Sequence, residues 1–117
     1  MSNADVLAAF NAAFGACDLE GSMALVTDDV VFESTSPSPD GVRHEGADAV
    51  RQAWADVFTT KDLTFTEEES LVEGERGFVR WRFDWTSDDG SPGHVRGVDI
   101  LRFRDGKLAE KLSYVKG

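Results

Sequence analysis

The segment VRWRFDW, at residues 79–85, constrains the fold more than any other part of the chain, because apolar and charged side chains alternate along it without a break. Successive side chains of a β-strand point to opposite faces, so this segment predicts a strand with one apolar and one charged side. Such a strand needs a sheet that packs one face on a hydrophobic core and turns the other to solvent. The predicted inner residues are Val79, Trp81, Phe83 and Trp85, and the predicted outer residues are Arg80, Arg82 and Asp84.

The second half of the chain predicts four successive strands. They cover residues 63–71, 77–86, 94–104 and 108–115. Turn residues separate them at Glu73-Gly74, at residues 89–93 and at Asp105-Gly106. Because such short connections join neighbouring strands that run in opposite directions, we expect an antiparallel meander.

The first half of the chain predicts helices. Apolar residues recur every three or four positions from Val6 to Cys17, which we expect to be buried, and a short second helix after Asp18 extends to Val26. A strand at residues 30–35 and a loop precede a third helix at residues 47–58. Three helices followed by a meander is an α+β pattern. The residues able to cap the first helix are Ser2, Asn3 and Asp5.

Length and charge exclude several classes of protein. A chain of 117 residues is expected to form one domain over residues 1–117. Its 22 acidic and 12 basic residues give a net charge of −10, which argues against a nucleic-acid-binding protein and against adhesion to anionic membranes. The first residues lack the basic region and the apolar run of a signal peptide, so we expect none. We also find no stretch apolar enough to span a membrane and no Cys/His spacing typical of a zinc site. We therefore expect a cytoplasmic protein without a metal or a cofactor.

Asp99 is the most unusual residue of the predicted sheet. In the segment RGVDILRFR it falls on the same side as Leu101 and Phe103, which is the predicted inner face. A buried carboxyl is costly unless it is paired, hydrated in a cavity or protonated. A protonated Asp99 would donate a hydrogen bond to a substrate oxygen, whereas a structural Asp99 would pair with His44, Arg96 or a backbone group.

Three segments together resemble a known family. They are DLEGSMALVTDDVVFES, HEGADAVRQAW and RGVDILRFRDGKLAEKLSYV, and their order and spacing cover nearly the whole chain. They are similar to the nuclear transport factor 2-like superfamily, in particular to its SnoaL-like and ketosteroid-isomerase-like branch. The resemblance implies a cone-shaped, curved antiparallel sheet packed on three N-terminal helices, with an apolar pocket inside the cone. It also implies a homodimer joined through the outer face of the sheet.

The known chemistries of this superfamily are each incomplete in this chain. The resemblance to ketosteroid isomerases places Ser34 where the general-base Asp stands and Phe10 where the oxyanion-hole Tyr stands, and only the oxyanion-hole Asp has a counterpart, at Asp99. The epoxide-hydrolase-like branch would use Arg82 and Asp84, which alternation turns outward, and its second Asp falls on Ser113. The SnoaL-like cyclases use an Asp at that same position.

The residues expected at the site follow from these comparisons. Asp99 is the candidate acid or hydrogen-bond donor. His44 is either an auxiliary proton-transfer group at the pocket mouth, as its position in the family implies, or a solvent-facing loop residue. The candidate pocket residues, several of which are equally explained as plain core, are Phe10, Phe14, Ser34, Trp54, Trp81, Phe83, Leu101 and Ser113.

Three functions remain open from the sequence. The first is a homodimer that binds a small apolar organic molecule in the cone pocket, with cofactor-independent acid–base catalysis of the isomerase or cyclase type. The second is a non-catalytic ligand-binding or assembly module whose cone its own side chains fill. The third is an epoxide-hydrolase-like enzyme, which requires Arg82 and Asp84 to face the pocket. The expected dimer surface is the outer sheet face around Val98 and Ile100.

Overall fold

The computed structural model describes residues 1–117 and contains three helices and six strands. The helices are α1 (Asn3–Gly15), α2 (Leu19–Met23) and α3 (Ala47–Val57). The strands are β1 (Val26–Glu33), β2 (Arg43–Glu45), β3 (Thr64–Glu73), β4 (Arg76–Thr86), β5 (Pro92–Arg104) and β6 (Lys107–Val115). None of the helices combines the length and the apolar character that a membrane crossing requires.

The predicted fold class is confirmed: one curved, open sheet packs against three helices. The strand order is β2-β1-β6-β5-β4-β3, so the last four strands form the predicted antiparallel meander. Strand β1 joins this meander by pairing with β6 in the parallel direction. The central position of β6 therefore brings residues from both halves of the chain to the middle of the sheet.

Local sequence signals explain where the helices begin. The Asp5 N–H donates to Ser2 Oγ and the Ser2 N–H donates to Asp5 Oδ2, each over 3.1 Å, which forms a capping box at the start of α1. The Gly21 N–H donates to the side chain of Asp18, the N-cap of α2, over 2.9 Å. The helices bury one face each, which consists of Val6, Leu7, Phe10 and Phe14 in α1 and of Val50 and Trp54 in α3.

The two faces of β4 are separated as the alternation predicts. Val79 and Trp81 are 2% and 3% exposed and join the core, whereas the side chains of Arg80 and Arg82 are 46% and 40% exposed. Strand β5 continues the inner face with Asp99, Leu101 and Phe103, all buried. The concave face of the sheet and the helices thus enclose one hydrophobic core.

Three local predictions were wrong. Cys17 is exposed, because it follows the end of α1 in a left-handed conformation (φ 54°) that turns the chain toward α2. Val26 belongs to a strand, because its partner is Leu108 of β6, and β1 therefore begins before residue 30. The predicted loop after β1 contains β2, which pairs antiparallel with β1.

Candidate functional site

A cavity of about 520 Å³ lies between α3 and the concave face of the sheet. Its size falls in the range of about 300–1,000 Å³ that is typical of sites for small organic molecules. Its wall is mainly apolar and includes Phe14, Phe32, Trp81, Phe83, Trp85 and Val95. Its polar groups include Ser34, His44, Asp56, Lys111 and Ser113.

The structure places most of the expected site residues on this wall. Those that line the cavity are Phe14, Ser34, His44, Trp81, Phe83 and Ser113. Phe10, Trp54 and Leu101 lie instead in the packed core, where they are 1%, 0% and 2% exposed, because the helices and the sheet cover them on all sides. Asp99 lies behind the wall, in contact with two residues that line it.

Asp99 is buried and contacts two polar neighbours, a lysine as an ion pair and a serine through a hydrogen bond. It is 3% exposed, its Oδ2 lies 2.9 Å from Lys111 Nζ, and its Oδ1 accepts a hydrogen bond of 2.6 Å from Ser113 Oγ. Ser113 is its direct partner across the β5–β6 ladder. One carboxyl oxygen of Asp99 therefore faces an ammonium group and the other accepts a hydrogen bond from a hydroxyl group. Asp99 is the counter-ion of a buried lysine, and none of the partners considered from the sequence is involved.

Lys111 is the residue that the sequence interpretation missed. It lies on β6 opposite Leu101, one diagonal step from Asp99, and a long side chain spans that distance. On its other side it pairs with Phe32 of β1. Its Nζ lies 5.1 Å from the ring centre of Phe32 and 5.0 Å from that of Phe14, within range of a cation–π contact. The resemblance placed Ser113 at the pocket, and residues two apart on a strand share a face. That spacing is the sequence signal that would have identified Lys111.

His44 lies on the cavity wall rather than in a solvent-facing loop. It belongs to β2 and pairs with Phe32, against whose ring the imidazole stacks with centres 5.7 Å apart and planes 14° apart. Phe32 thus has His44 on one side and Lys111 on the other. Three neighbouring strands therefore hold an imidazole, an aromatic ring and an ammonium group in one row.

Ser34 stabilises the rim of the cavity. Its hydroxyl donates to the carbonyl oxygen of Ser36 over 2.9 Å and accepts from the Val42 N–H over 3.0 Å. These bonds hold the two ends of the loop between β1 and β2 together. The hydroxyl is thus engaged in loop structure, and no adjacent base activates it as a nucleophile.

Arg82 and Asp84 lie on the outer face of the sheet and do not line the cavity. Arg82 Nη2 donates to Asp84 Oδ1 over 2.9 Å, and Nε donates to Oδ2 over 3.0 Å. The hydrogen bonds from Arg82 lower the pKa of the Asp84 carboxyl, and both side chains are about two-fifths exposed (40% and 41%). The inward orientation that an epoxide-hydrolase-like site requires is absent, because the alternation of β4 persists through these residues.

Comparisons with known proteins agree with this architecture. Residues 7–111 match a family described as the SnoaL-like domain. An NTF2-like protein of unknown function from Mesorhizobium loti is 37% identical, with a TM-score of 0.83 over 98% of this chain and 91% of that one. Another from Burkholderia pseudomallei is 25% identical, with a TM-score of 0.84 over 99% of this chain and 92% of that one. No curated protein sequence matches the chain.

A structure with much lower sequence identity has the same fold. A hypothetical protein with a ketosteroid isomerase-like fold from Catenulispora acidiphila, solved in complex with trimethylamine, is 14% identical. Its TM-score is 0.80 over 93% of this chain and 83% of that one. The family match spans more than half of the chain, and the curved sheet on three helices is the fold of the matching structures. The chain therefore belongs to the SnoaL-like family of the NTF2-like superfamily.

Proposed function

We propose that the protein binds a small, mainly apolar organic molecule in the inner cavity and transfers protons on it by acid–base catalysis. The observation that carries this proposal is the wall of the cavity, where aromatic side chains surround a few convergent polar groups, one of them the buried Lys111. If the protein's own side chains filled the interior of the cone, no cavity of about 520 Å³ would exist there. The alternative of a solidly packed assembly module is disfavoured for that reason.

His44 is the proposed proton carrier. Its imidazole lies on the wall, half-buried, and is held by stacking on Phe32. Imidazole is the side chain best suited to give and take protons near neutral pH. Asp99 is the candidate acid of the sequence analysis. In this proposal it does not transfer protons but neutralises and positions Lys111.

Binding is tested by filling the cavity. Ala53 of α3 lines the cavity, whereas Ala49 on the same helix is exposed. We expect a hydrophobic probe such as 2-ethylnaphthalene to saturate the wild type in a fluorescence titration. The variant Ala53→Phe should weaken this binding at least tenfold, and the matched control Ala49→Phe should bind as the wild type does. A wild type that binds no such probe, or an Ala53→Phe variant that binds it normally, contradicts the proposal.

Catalysis is tested separately from binding. A bound ketone such as 2-tetralone exchanges its acidic C–H hydrogens with D₂O when a base removes them, and NMR measures the rate. We expect the protein to accelerate this exchange and the variant His44→Gln to lose about 100-fold or more of the acceleration with unchanged binding. Equal exchange rates with and without the wild-type protein would favour the non-catalytic ligand-binding module.

We also propose that the protein is a homodimer joined through the outer face of the sheet. A row of apolar side chains crosses four strands there in direct register, and its exposed members Leu71 and Ile100 are 57% and 38% exposed. Apolar rows flanked by charges are typical of self-complementary interfaces. The complete row is Leu71, Phe78, Ile100 and Leu112.

The dimer is tested by placing a charge in the middle of this row. We expect light scattering at micromolar concentration to give twice the chain mass for the wild type and the chain mass for Ile100→Glu. The control Ile100→Val keeps the row apolar and should remain dimeric. A monomeric wild type at micromolar concentration contradicts the proposal.

A further inference from the structure

Lys111 is a buried cation on the cavity wall whose position is fixed from several sides. It is 7% exposed, and its only ion-pair partner is Asp99, at 2.9 Å. The rings of Phe14 and Phe32 lie about 5 Å from Nζ (5.0 and 5.1 Å to their centres). An ammonium group has three N–H donors, so the contact with Asp99 leaves donors for a molecule in the cavity. A donor held this rigidly binds an acceptor without a large loss of side-chain entropy.

Asp99 is itself held in place by a residue other than Lys111. Its second oxygen accepts a hydrogen bond of 2.6 Å from Ser113, and both residues lie on strands in the interior of the sheet. The carboxylate is thus aligned with Lys111 rather than free to turn into the cavity. Asp99 and Ser113 are positioning residues for the ammonium group.

The charge of the pair restricts what Lys111 binds. The lysine and the aspartate cancel, so the buried pair has no net charge to attract an anion. A ligand carboxylate would add a second buried negative charge beside Asp99, which costs free energy at low dielectric constant. Asp56 on the wall adds a further negative group, and the chain as a whole has a net charge of −10. An uncharged oxygen avoids this repulsion and still accepts the hydrogen bond.

We infer that Lys111 selects uncharged ring compounds that have a hydrogen-bond-accepting oxygen, and that it discriminates against the corresponding carboxylic acids. The ring packs against the aromatic wall while the oxygen accepts from Lys111 Nζ. This inference rests on the proposed binding of small molecules in the same cavity. Because Asp99 neutralises the charge of Lys111, the lysine recognises a neutral hydrogen-bond acceptor and not an anion.

Three naphthalenes of nearly equal shape test the inference by fluorescence titration at neutral pH. They are 2-acetylnaphthalene, which has a neutral oxygen acceptor, 2-ethylnaphthalene, which has none, and 2-naphthoate, which is an anion. A hydrogen bond from a charged donor predicts that the wild type binds the acetyl compound about tenfold or more tightly than the ethyl compound. It should bind the naphthoate more weakly than the acetyl compound.

The variants separate recognition from stability. The double variant Lys111→Met/Asp99→Asn removes both charges at similar volume, so we expect it to fold and to lose the preference for the acetyl compound, which is measured as the ratio of the affinities for the acetyl and ethyl compounds. Ser113→Ala should partially lower the ratio of the affinities for the acetyl and ethyl compounds, and Ser113→Thr should restore that ratio. A merely structural role of Ser113 would move both affinities together.

The outcomes distinguish this inference from the proposal beneath it. If the ethyl compound or the naphthoate binds the wild type at least as tightly as the acetyl compound, the inference is overturned and binding in the cavity stands. An unchanged acetyl preference in the double variant also overturns it. If none of the three compounds binds the wild type, the proposed function itself fails.

Discussion

The buried pair of Asp99 and Lys111 makes a strong prediction about stability. In the variant Asp99→Asn the ammonium group of Lys111, which is 7% exposed, loses its only counter-ion. Removing one member of a buried ion pair typically costs about 3–5 kcal/mol, because the remaining charge is left unpaired away from water. We expect a loss of this size in the free energy of unfolding of Asp99→Asn.

The loss in the free energy of unfolding can also be expressed as a shift in the melting temperature. With an unfolding entropy of about 2.1 cal/mol/K per residue, a chain of 117 residues changes its melting temperature by roughly 4 °C for each kcal/mol. The variant should therefore melt about 12–20 °C below the wild type. Urea denaturation followed by circular dichroism measures the free energy, and a thermal scan measures the midpoint.

Two further variants isolate the cause. Asp84→Asn makes the same chemical change in an exposed ion pair, because Asp84 and its partner Arg82 are 41% and 40% exposed. Solvent screens such a pair, so we expect little change in the free energy of unfolding. Asp99→Leu/Lys111→Met removes both buried charges and should recover most of the stability. If Asp99→Asn melts at the wild-type temperature, the burial of an obligatory ion pair is refuted.

Three other predictions concern the scaffold. Arg104 donates a hydrogen bond to Asp29 and lowers the pKa of that carboxyl, so the pair stabilises the fold at neutral pH. This contribution disappears as the pH falls through the pKa of folded Asp29, which lies below the ordinary value of about 3.9. The difference in urea midpoint between the wild type and Asp29→Asn should therefore vanish at such low pH. Ser2→Ala removes the capping box and should lower stability by about 1 kcal/mol in a thermal scan. In Gly97→Ala the new Cβ would overlap the backbone oxygen of Tyr114 and lie 2.7 Å from the Trp81 ring, so we expect a loss of about 1–3 kcal/mol and an altered near-ultraviolet spectrum.

The elements that the sequence predicted well depend on local rules. The alternation in β4 separates Trp81 from Arg82 because the side chains of a strand alternate by geometry alone. Asp18 begins α2 because its side chain accepts from a backbone N–H three residues later. The turn at Asp105-Gly106 joins β5 and β6 because both residues adopt the positive φ that a two-residue hairpin loop requires (54° and 74°).

The position of Lys111 depends on a detail that local rules do not contain. Counting outward from the Asp105-Gly106 turn in a regular hairpin would place Lys111 opposite Ile100, on the outer face. The ladder shifts by one residue between Arg102 and Phe103, so that Lys111 pairs with Leu101 on the inner face instead. An added residue in one strand reverses the face of every side chain beyond it.

The sequence by itself determined that this chain forms an α+β fold with a two-faced sheet, since capping, turn and alternation signals act between residues close in the chain. It also placed an acid, Asp99, on the inner face. Only the tertiary structure decided what that acid does. The ladder shift turns Lys111 inward beside it, and the parallel pairing of β1 with β6 brings Phe32, with His44 behind it, to the other side of the lysine. A site assembled from three strands depends on strand register and pairing between distant segments, and that physical information lies in the packing of the whole molecule.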